Sequence, residues 1–570
     1  MAVLGLAGIL TWAVFGQVAE ELETFDSVED LIGRYETDQS ALARFYGRQV
    51  LSEAHRARMG QFIGSWRSAL EAMEFESLPP EDQVNFLLMR HRLDYRKKSL
   101  ATEWRKLGEI SELVQFKDRV QALYEAYRAR ANMEPRSVAE RLAEIAKAVK
   151  ALEGKVSLEA DEGKLVTTPV LALRAQKVLG EIERRLDAWY RFYAGFDPDF
   201  SWWAEQAYGE LKSNLENYRK KLGALVTDGK GGDEVPLVGD PIGAEALADD
   251  LAVEMLAYSP AELLAIGERE FKWCRDEMIK AAGEMGFGED WRKALERVKS
   301  DFVPPGEQDD LAAEIAREAI EFIDGNNLVG VPQLCRETWY LTMLGKREQQ
   351  TLPYAVYRGQ AIGIAFPTED MSVEQKLMSL RGNNRHFTRA VIPHELIPGH
   401  HLQAFMAKRH APYRGIFRTP FYVEGWALHW EMLLYNLEFP RTPEERIGML
   451  FWRAHRCARI IVSLKFHLGQ MQPEEMVDFL TDEVGMEESG ARGEVRRYIG
   501  DSYSPLYQCG YMIGGLQLRA VYQEMVGGGE MTPREFHDAV LRLGPIPIEM
   551  VRATLMGTKL SRDWRAGWRF

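Results

Sequence analysis

Pro393-His-Glu-Leu-Ile-Pro-Gly-His-His401 interrupts a helix-like sequence with two prolines, a glycine and three histidines. His394-Glu395 opens the pattern H-E-x-x-H, in which two histidines one helical turn apart bind zinc and the glutamate is the general base. Here the second ligand position, four residues after His394, is Pro398, which cannot bind a metal. The next histidines come six and seven residues on. On a straight helix His400 lies about 120° from the His394 face. His401 returns to that face, but about 10 Å further along the axis. Two nitrogens on one zinc must each lie within about 2.1 Å of it, so a regular helix makes no site. Pro398 removes a backbone donor and Gly399 accepts unusual dihedrals. A two-residue bulge there would return His400 to the place one turn from His394. The competing reading is a proline-terminated helix with solvated histidines.

Histidine is concentrated around this stretch. Eight of the 11 lie between His386 and His467, where an even spread places fewer than two, and imidazole is the commonest metal ligand. Glu424, in Val423-Glu-Gly-Trp-Ala-Leu-His-Trp-Glu431, follows His400 by 24 residues. Ala427, Leu428 and Met432 give its helix an apolar face, which would bury Glu424 among hydrophobic groups. A buried carboxylate is costly without a partner; a metal ion resolves the cost, and so would an arginine. His394, His400 and Glu424 are therefore the expected ligands of one Zn2+, with Glu395 as general base. The same donor set suits a non-haem Fe2+ oxidase or oxygenase. Glu395 discriminates, because hydrolysis needs that base and oxygenation does not. A non-catalytic peptide-binding relative is the third reading, and Glu395 argues against it as well. His401 is expected not to be a ligand, since adjacent residues diverge on a helical backbone. His386, His410, His429 and His455 read as bystanders.

The rest of the chain is ordinary globular sequence. Of its 570 residues 46% are apolar and 28% charged, room for two to five domains or one large two-lobed body. A net charge of −15 with no basic run argues against nucleic acid as a partner. Cys274, Cys335, Cys457 and Cys509 are far apart, without a CxxC, which disfavours a thiolate zinc site or a disulfide framework. From Val28 to Ala224 good helix formers dominate. Leu100–Ala126, with its stripe of Leu100, Trp104, Leu107, Ile110 and Val114, and Val138–Leu152 carry amphipathic spacing. Thr227–Pro236 is the clearest break, separating an N-terminal helical lobe (20–235) from the region 236–570. Ser259-Pro-Ala-Glu262 has the residues of an N-cap, a first helical turn and a capping box. Leu352–Pro367, rich in Val, Ile, Tyr and Phe, holds one or two short strands. The expected fold is mainly α. Ala2–Gly16 is apolar but shorter than the ~20 residues that span a bilayer. Val14-Phe15-Gly16 has the spacing of a signal-peptidase site, although no Lys or Arg precedes it. Residues 1–19 are thus read as an export signal of a periplasmic or extracellular protein, or as an apolar segment of a cytoplasmic one. No other stretch is expected to span a membrane.

H-E-x-x-P-G-H-H-L-Q over His394–Gln403, followed by E-G-W-A-L from Glu424, resembles the bacterial family called domain of unknown function 885. That family is similar to gluzincin metallopeptidases such as carboxypeptidase Taq and angiotensin-converting enzyme. The resemblance implies a large two-lobed helical fold with a deep cleft and a small β element next to the metal-site helix. It also implies zinc-dependent hydrolysis of short peptides by the region 236–570, and it points to Arg456-Cys-Ala-Arg459, Glu494-Val-Arg-Arg-Tyr498, Pro505 and Tyr511-Met-Ile-Gly514. By analogy with gluzincin Tyr/His pairs, Tyr511 and His467 would stabilise the oxyanion. Arg497, with Tyr498, would bind the substrate, the guanidinium gripping a carboxylate; a surface or structural salt bridge is the other reading of Arg497. Ala361–Ala365 would be the edge strand along which an extended peptide pairs, or else a plain core strand. Three positions depart from the pattern: Tyr507 stands where Gln is usual, Ser463 where Asp is common, and Leu428 where related peptidases have an acid that orients a histidine. Glu431 is the candidate replacement for that acid.

Overall fold

The structure, a computed structural model, describes residues 24–227, 237–349, 352–500 and 503–570. The apolar start of the chain, with its candidate export signal, and nearly all of the break at 227–236 lie outside them. About 70% of the described residues are helical, so the fold is mainly α. Two compact units form. One takes the residues up to Lys155, Lys177–Arg219 and Leu560–Trp564; the other takes Val156–Gln176, Lys220–Lys559 and Arg565–Phe570.

The first unit is helical. Tyr35 of the helix Val28–Tyr46 stacks on Phe62 at 5.3 Å and meets Trp66 edge-on at 5.6 Å, both on Glu53–Glu71. Helix Pro135–Lys155 buries Val138, Leu142, Ile145, Val149 and Leu152, as its spacing predicts. The stripe is buried at Leu100, Leu107, Ile110 and Val114, but not on one helix. Pro80–Glu109 ends just after Gly108, a weak helix former, and a new helix starts at Lys117.

The second unit carries the residues of interest. Helix α1 (Pro260–Glu284) opens with the Ser259–Glu262 capping box read from the sequence. Three short strands follow: β1 (Tyr340–Met343), β2 (Ala355–Arg358) and β3 (Ala361–Ile364). The order is β1-β3-β2, with β3 parallel to β1 and antiparallel to β2. Of the two readings of Ala361–Ala365 the core strand holds and the edge strand does not: β3 is central, and β1 and β2 are the edges. Ile362 and Ile364 pack on Ile392 and Leu396, which seats the sheet on helix α2 (Arg385–Glu395). Helices α3 (His400–His410), α4 (Pro420–Asn436), α5 (Pro443–His467), α6 (Glu488–Ile499), α7 (Tyr507–Tyr522) and α8 (Pro533–Leu543) complete the frame. From Ile447 to His467 every residue of α5 except Lys465 is buried. A helix buried all round is a core helix, and α1, α2 and α7 pack around it.

Helices α4 and α7 cross backbone against backbone. A Cβ on Gly425 would fall 2.5 Å from the Gly514 carbonyl carbon, and one on Gly514 would fall 2.0 Å from the Phe421 carbonyl oxygen. Only backbone stands in the way, so no rotamer change relieves the clash. Gly514→Ala is expected to cost about 3 kcal/mol of stability, measurable by denaturant unfolding.

A second liability is a neutral histidine pair. His537 Nδ1 donates to the Leu328 carbonyl at 2.8 Å, so its Nε2 accepts from His429 Nε2 at 3.0 Å. Burial pushes the His537 imidazole down to about 4. The unfolded chain takes up this proton near pH 6.5 and the folded chain only near pH 4. The stabilisation is therefore complete above pH 6.5 and is lost as pH falls toward 4. The expected loss is about 3 kcal/mol, checked as a shallower pH dependence of unfolding in His537→Gln.

Among the described residues no helix is long and apolar enough to cross a membrane. The four cysteines are free and buried.

Candidate metal centre

Helix α2 starts on Asn384, whose side chain accepts from His386 N at 3.0 Å and Phe387 N at 2.9 Å. It ends at Glu395. Leu396 then takes φ −105°, ψ −104°, the Ile397–Pro398 peptide is cis, and Gly399 takes φ −76°, ψ −131° before α3 begins at His400. Gly399 N donates to Pro393 O at 2.9 Å. That bond spans six residues where a helix spans four, so two residues have been inserted, and His400 faces His394. The bulge required by the spacing is present, and the solvated-helix reading fails. Trp426 of α4 holds the bulge from outside, its Nε1 donating to Pro398 O at 2.8 Å. A Cβ on Gly399 would lie 1.8 Å from His394 O, so only glycine fits.

His394, His400 and Glu424 each offer a ligand atom, all within 4.8 Å of one another. Glu424 Oε2 lies 3.5 Å from His394 Nε2 and 3.2 Å from His400 Nε2. Neither contact has hydrogen-bond alignment, and the buried Oε2 has no hydrogen-bond partner. Three donors aimed at one point suit a tetrahedral cation such as Zn2+ with a fourth position left open. The remaining atoms of these groups are pinned. His394 Nδ1 bonds Glu431 Oε1 at 2.6 Å, which directs Nε2 inward. The Tyr507 hydroxyl donates to Glu424 Oε1. Burial opposes charge on His394, but the Glu424 and Glu431 carboxylates outweigh it and push the imidazole up to about 9. The cluster thus favours a positive charge at its centre.

These residues line a cavity of about 410 Å³. Glu395 also lines it, its Oε2 accepting from Tyr357 N of edge strand β2 at 2.9 Å. Tyr511 stacks on the His394 ring at 6.0 Å; burial, aided by Glu424, raises its phenol above the ordinary value. Arg456, Arg459, Glu494 and Arg497 line one corner. Burial alone would raise the Glu494 carboxyl, but Arg459 and Arg497 hold it well below the usual range.

Other expected residues fall elsewhere. His467 does not line the cavity; it follows Arg459 on α5 by eight residues, about 12 Å along the axis, so the Tyr511/His467 pair is not assembled. Tyr498 lies beneath the wall. Its hydroxyl donates to Glu494 Oε2 at 2.7 Å and accepts from Arg459 Nε at 3.1 Å and His455 Nε2 at 2.8 Å. That hydroxyl is saturated and supports Glu494 instead of reaching a substrate. His455 is accordingly part of a buried network, and His429 part of the neutral pair described above. His401 is turned away, donating from Nε2 to Cys335 O at 2.9 Å. Tyr507 and Tyr357 were not anticipated. For Tyr507 a signal existed: it precedes Tyr511 by four residues and so shares its helix face.

The chain matches, over residues 46–555, a family described as a bacterial protein of unknown function, DUF885. Comparison with curated proteins gives no match. Two solved structures share the fold. A candidate lipoprotein of unknown function from Shewanella oneidensis is 17% identical, with a TM-score of 0.67 over 93% of this chain and 100% of that one. A candidate lipoprotein from Colwellia psychrerythraea is 16% identical, with a TM-score of 0.57 over 94% and 99%.

Proposed function

The chain belongs to the DUF885 family, and from the chemistry of its own cleft we propose that it is a zinc-dependent peptidase of gluzincin type acting on short peptides. One observation carries the reading: a carboxylate that is not a ligand, Glu395, stands beside three converging metal donors and is fixed by the Tyr357 amide. An oxygenase has no task for that group.

Zinc on His394, His400 and Glu424 supplies a Lewis acid and lowers the pKa of water to about 7. Glu395 takes the proton of the attacking water, with Oε2 held by the strand and Oε1 left for the water. Tyr511, kept protonated by burial, donates to the oxygen on which charge develops. Strand β2 offers an open edge beside the cavity for an extended peptide. A cavity of about 410 Å³ admits a few residues and excludes a folded protein. The apolar residues 2–16, and the description of both structural neighbours as candidate lipoproteins, support export; N-terminal sequencing of the native protein tests it.

The test of function is metal analysis of protein purified without added metal, followed by digestion of a peptide mixture with mass readout. One zinc per chain and cleavage abolished by a chelator are expected. Bound iron with oxygen uptake, or no chelator-sensitive cleavage, overturns the proposal. The supporting bonds give a separate prediction. Tyr507→Phe frees Glu424 Oε1, and Glu431→Gln loosens His394. Each is expected to weaken zinc tenfold to a hundredfold, measured by chelator competition.

A further inference from the structure

One corner of the cleft holds more positive charge than its carboxylates balance. Arg456, Arg459 and Arg497 line it. Glu494 accepts from Arg459 Nη2 at 2.7 Å, Arg497 Nη1 at 3.0 Å and the Tyr498 hydroxyl at 2.7 Å, which occupies both its oxygens. Glu431 meets Arg456 at 3.4 Å but is already committed to His394. Among the described residues no third carboxylate pairs with these guanidiniums. Buried N–H groups at Arg456 Nε, Arg459 Nη1 and Arg497 Nε have no hydrogen-bond partner. Buried cations in surplus call for an anion, and forked guanidiniums match a carboxylate. Aromatic rings fix their planes: Tyr511 lies 4.2 Å from Arg459 Cζ, and Tyr503 lies 4.9 Å from Arg497 Cζ.

The corner is also at a telling distance. The Tyr511 ring that covers Arg459 stacks on His394 as well, so this guanidinium lies no further than about 10 Å from the His394 ring. An extended chain advances about 3.3–3.6 Å per residue. A carboxylate gripped here therefore belongs to one of the first three residues beyond a carbonyl attacked at the metal centre. We infer that this corner binds the free α-carboxylate of the substrate, so that the protein removes one to three residues from the carboxyl end of short peptides. This rests on the peptidase reading above.

The test uses the zinc-loaded full chain and matched short peptides ending in a free acid or an amide, with a chelator control. The acids are expected to be cleaved at least a hundredfold better in kcat/KM, mostly through KM. In Arg497→Gln the gap between acid and amide should narrow at least tenfold, and Arg497→Lys should restore part of it. Chelator-sensitive cleavage with no preference between acids and amides, or cleavage mainly at internal bonds, overturns the inference and leaves the peptidase standing. If nothing is cleaved, the peptidase reading has failed, and calorimetric titration with an N-acyl amino acid decides for the corner alone. Binding that Arg497→Gln weakens at least tenfold upholds it; no binding to the wild type overturns it.

Discussion

Gly399→Ala is expected to yield a folded protein that no longer holds zinc. The added methyl would sit 1.8 Å from His394 O, 2.4 Å from His394 C and 2.5 Å from Pro393 O. All three are backbone atoms of the turn that carries the first ligand, and the next residue along is the second. Relief requires α2 and α3 to separate at their junction, and that movement pulls His394 from His400. Zinc needs each nitrogen within about 2.1 Å, so a shift of about 1 Å removes a ligand. Zinc affinity should fall by three orders of magnitude or more, while far-ultraviolet circular dichroism stays near wild type because both helices persist. Zinc retained within tenfold of wild type would sink the kink as the determinant of the site.

Glu395→Gln should separate chemistry from metal binding. The side chain keeps its size and can still accept from Tyr357 N, whose bond of 2.9 Å goes to one oxygen, but the amide cannot take a proton from water. A positioned general base contributes 10²- to 10⁴-fold, so kcat should fall by about that factor. KM and zinc content should stay near wild type. Unchanged hydrolysis with zinc bound would remove Glu395 from the mechanism.

The candidate metal centre was legible because its constraints are local. The six-residue gap between His394 and His400 admits one divalent ion only with an inserted pair, and Pro398-Gly399 is a pair that can leave the helix. Glu424 was legible because its face is apolar. Glu431 was visible as a candidate, being two turns after Glu424 on the same face. The parts that were missed depend on longer-range geometry. α5 is buried all round, so its sequence has no polar stripe to show which side meets the cleft, and His467 could not be told from Arg459. Whether Ala361–Ala365 is an edge or a core strand stayed open in the sequence because β1, the strand that covers β3, is supplied by Tyr340–Met343, a run without the apolar alternation that marks a strand. Tyr498 carries a hydroxyl like Tyr511, and only the surrounding bonds separate a support from a cleft residue.

The glycine contact between α4 and α7 reaches beyond stability. With no side chain between Gly425 and Gly514 to act as a spacer, Glu424, Tyr507 and Tyr511 ride on one inflexible block. Adjustment to a different guest, in a single turnover or over evolutionary time, is therefore displaced to the opposite bank of the cleft. There the strand edge at Ala355–Arg358 and the exposed Lys408 and Arg418 can vary without disturbing the geometry of the metal donors.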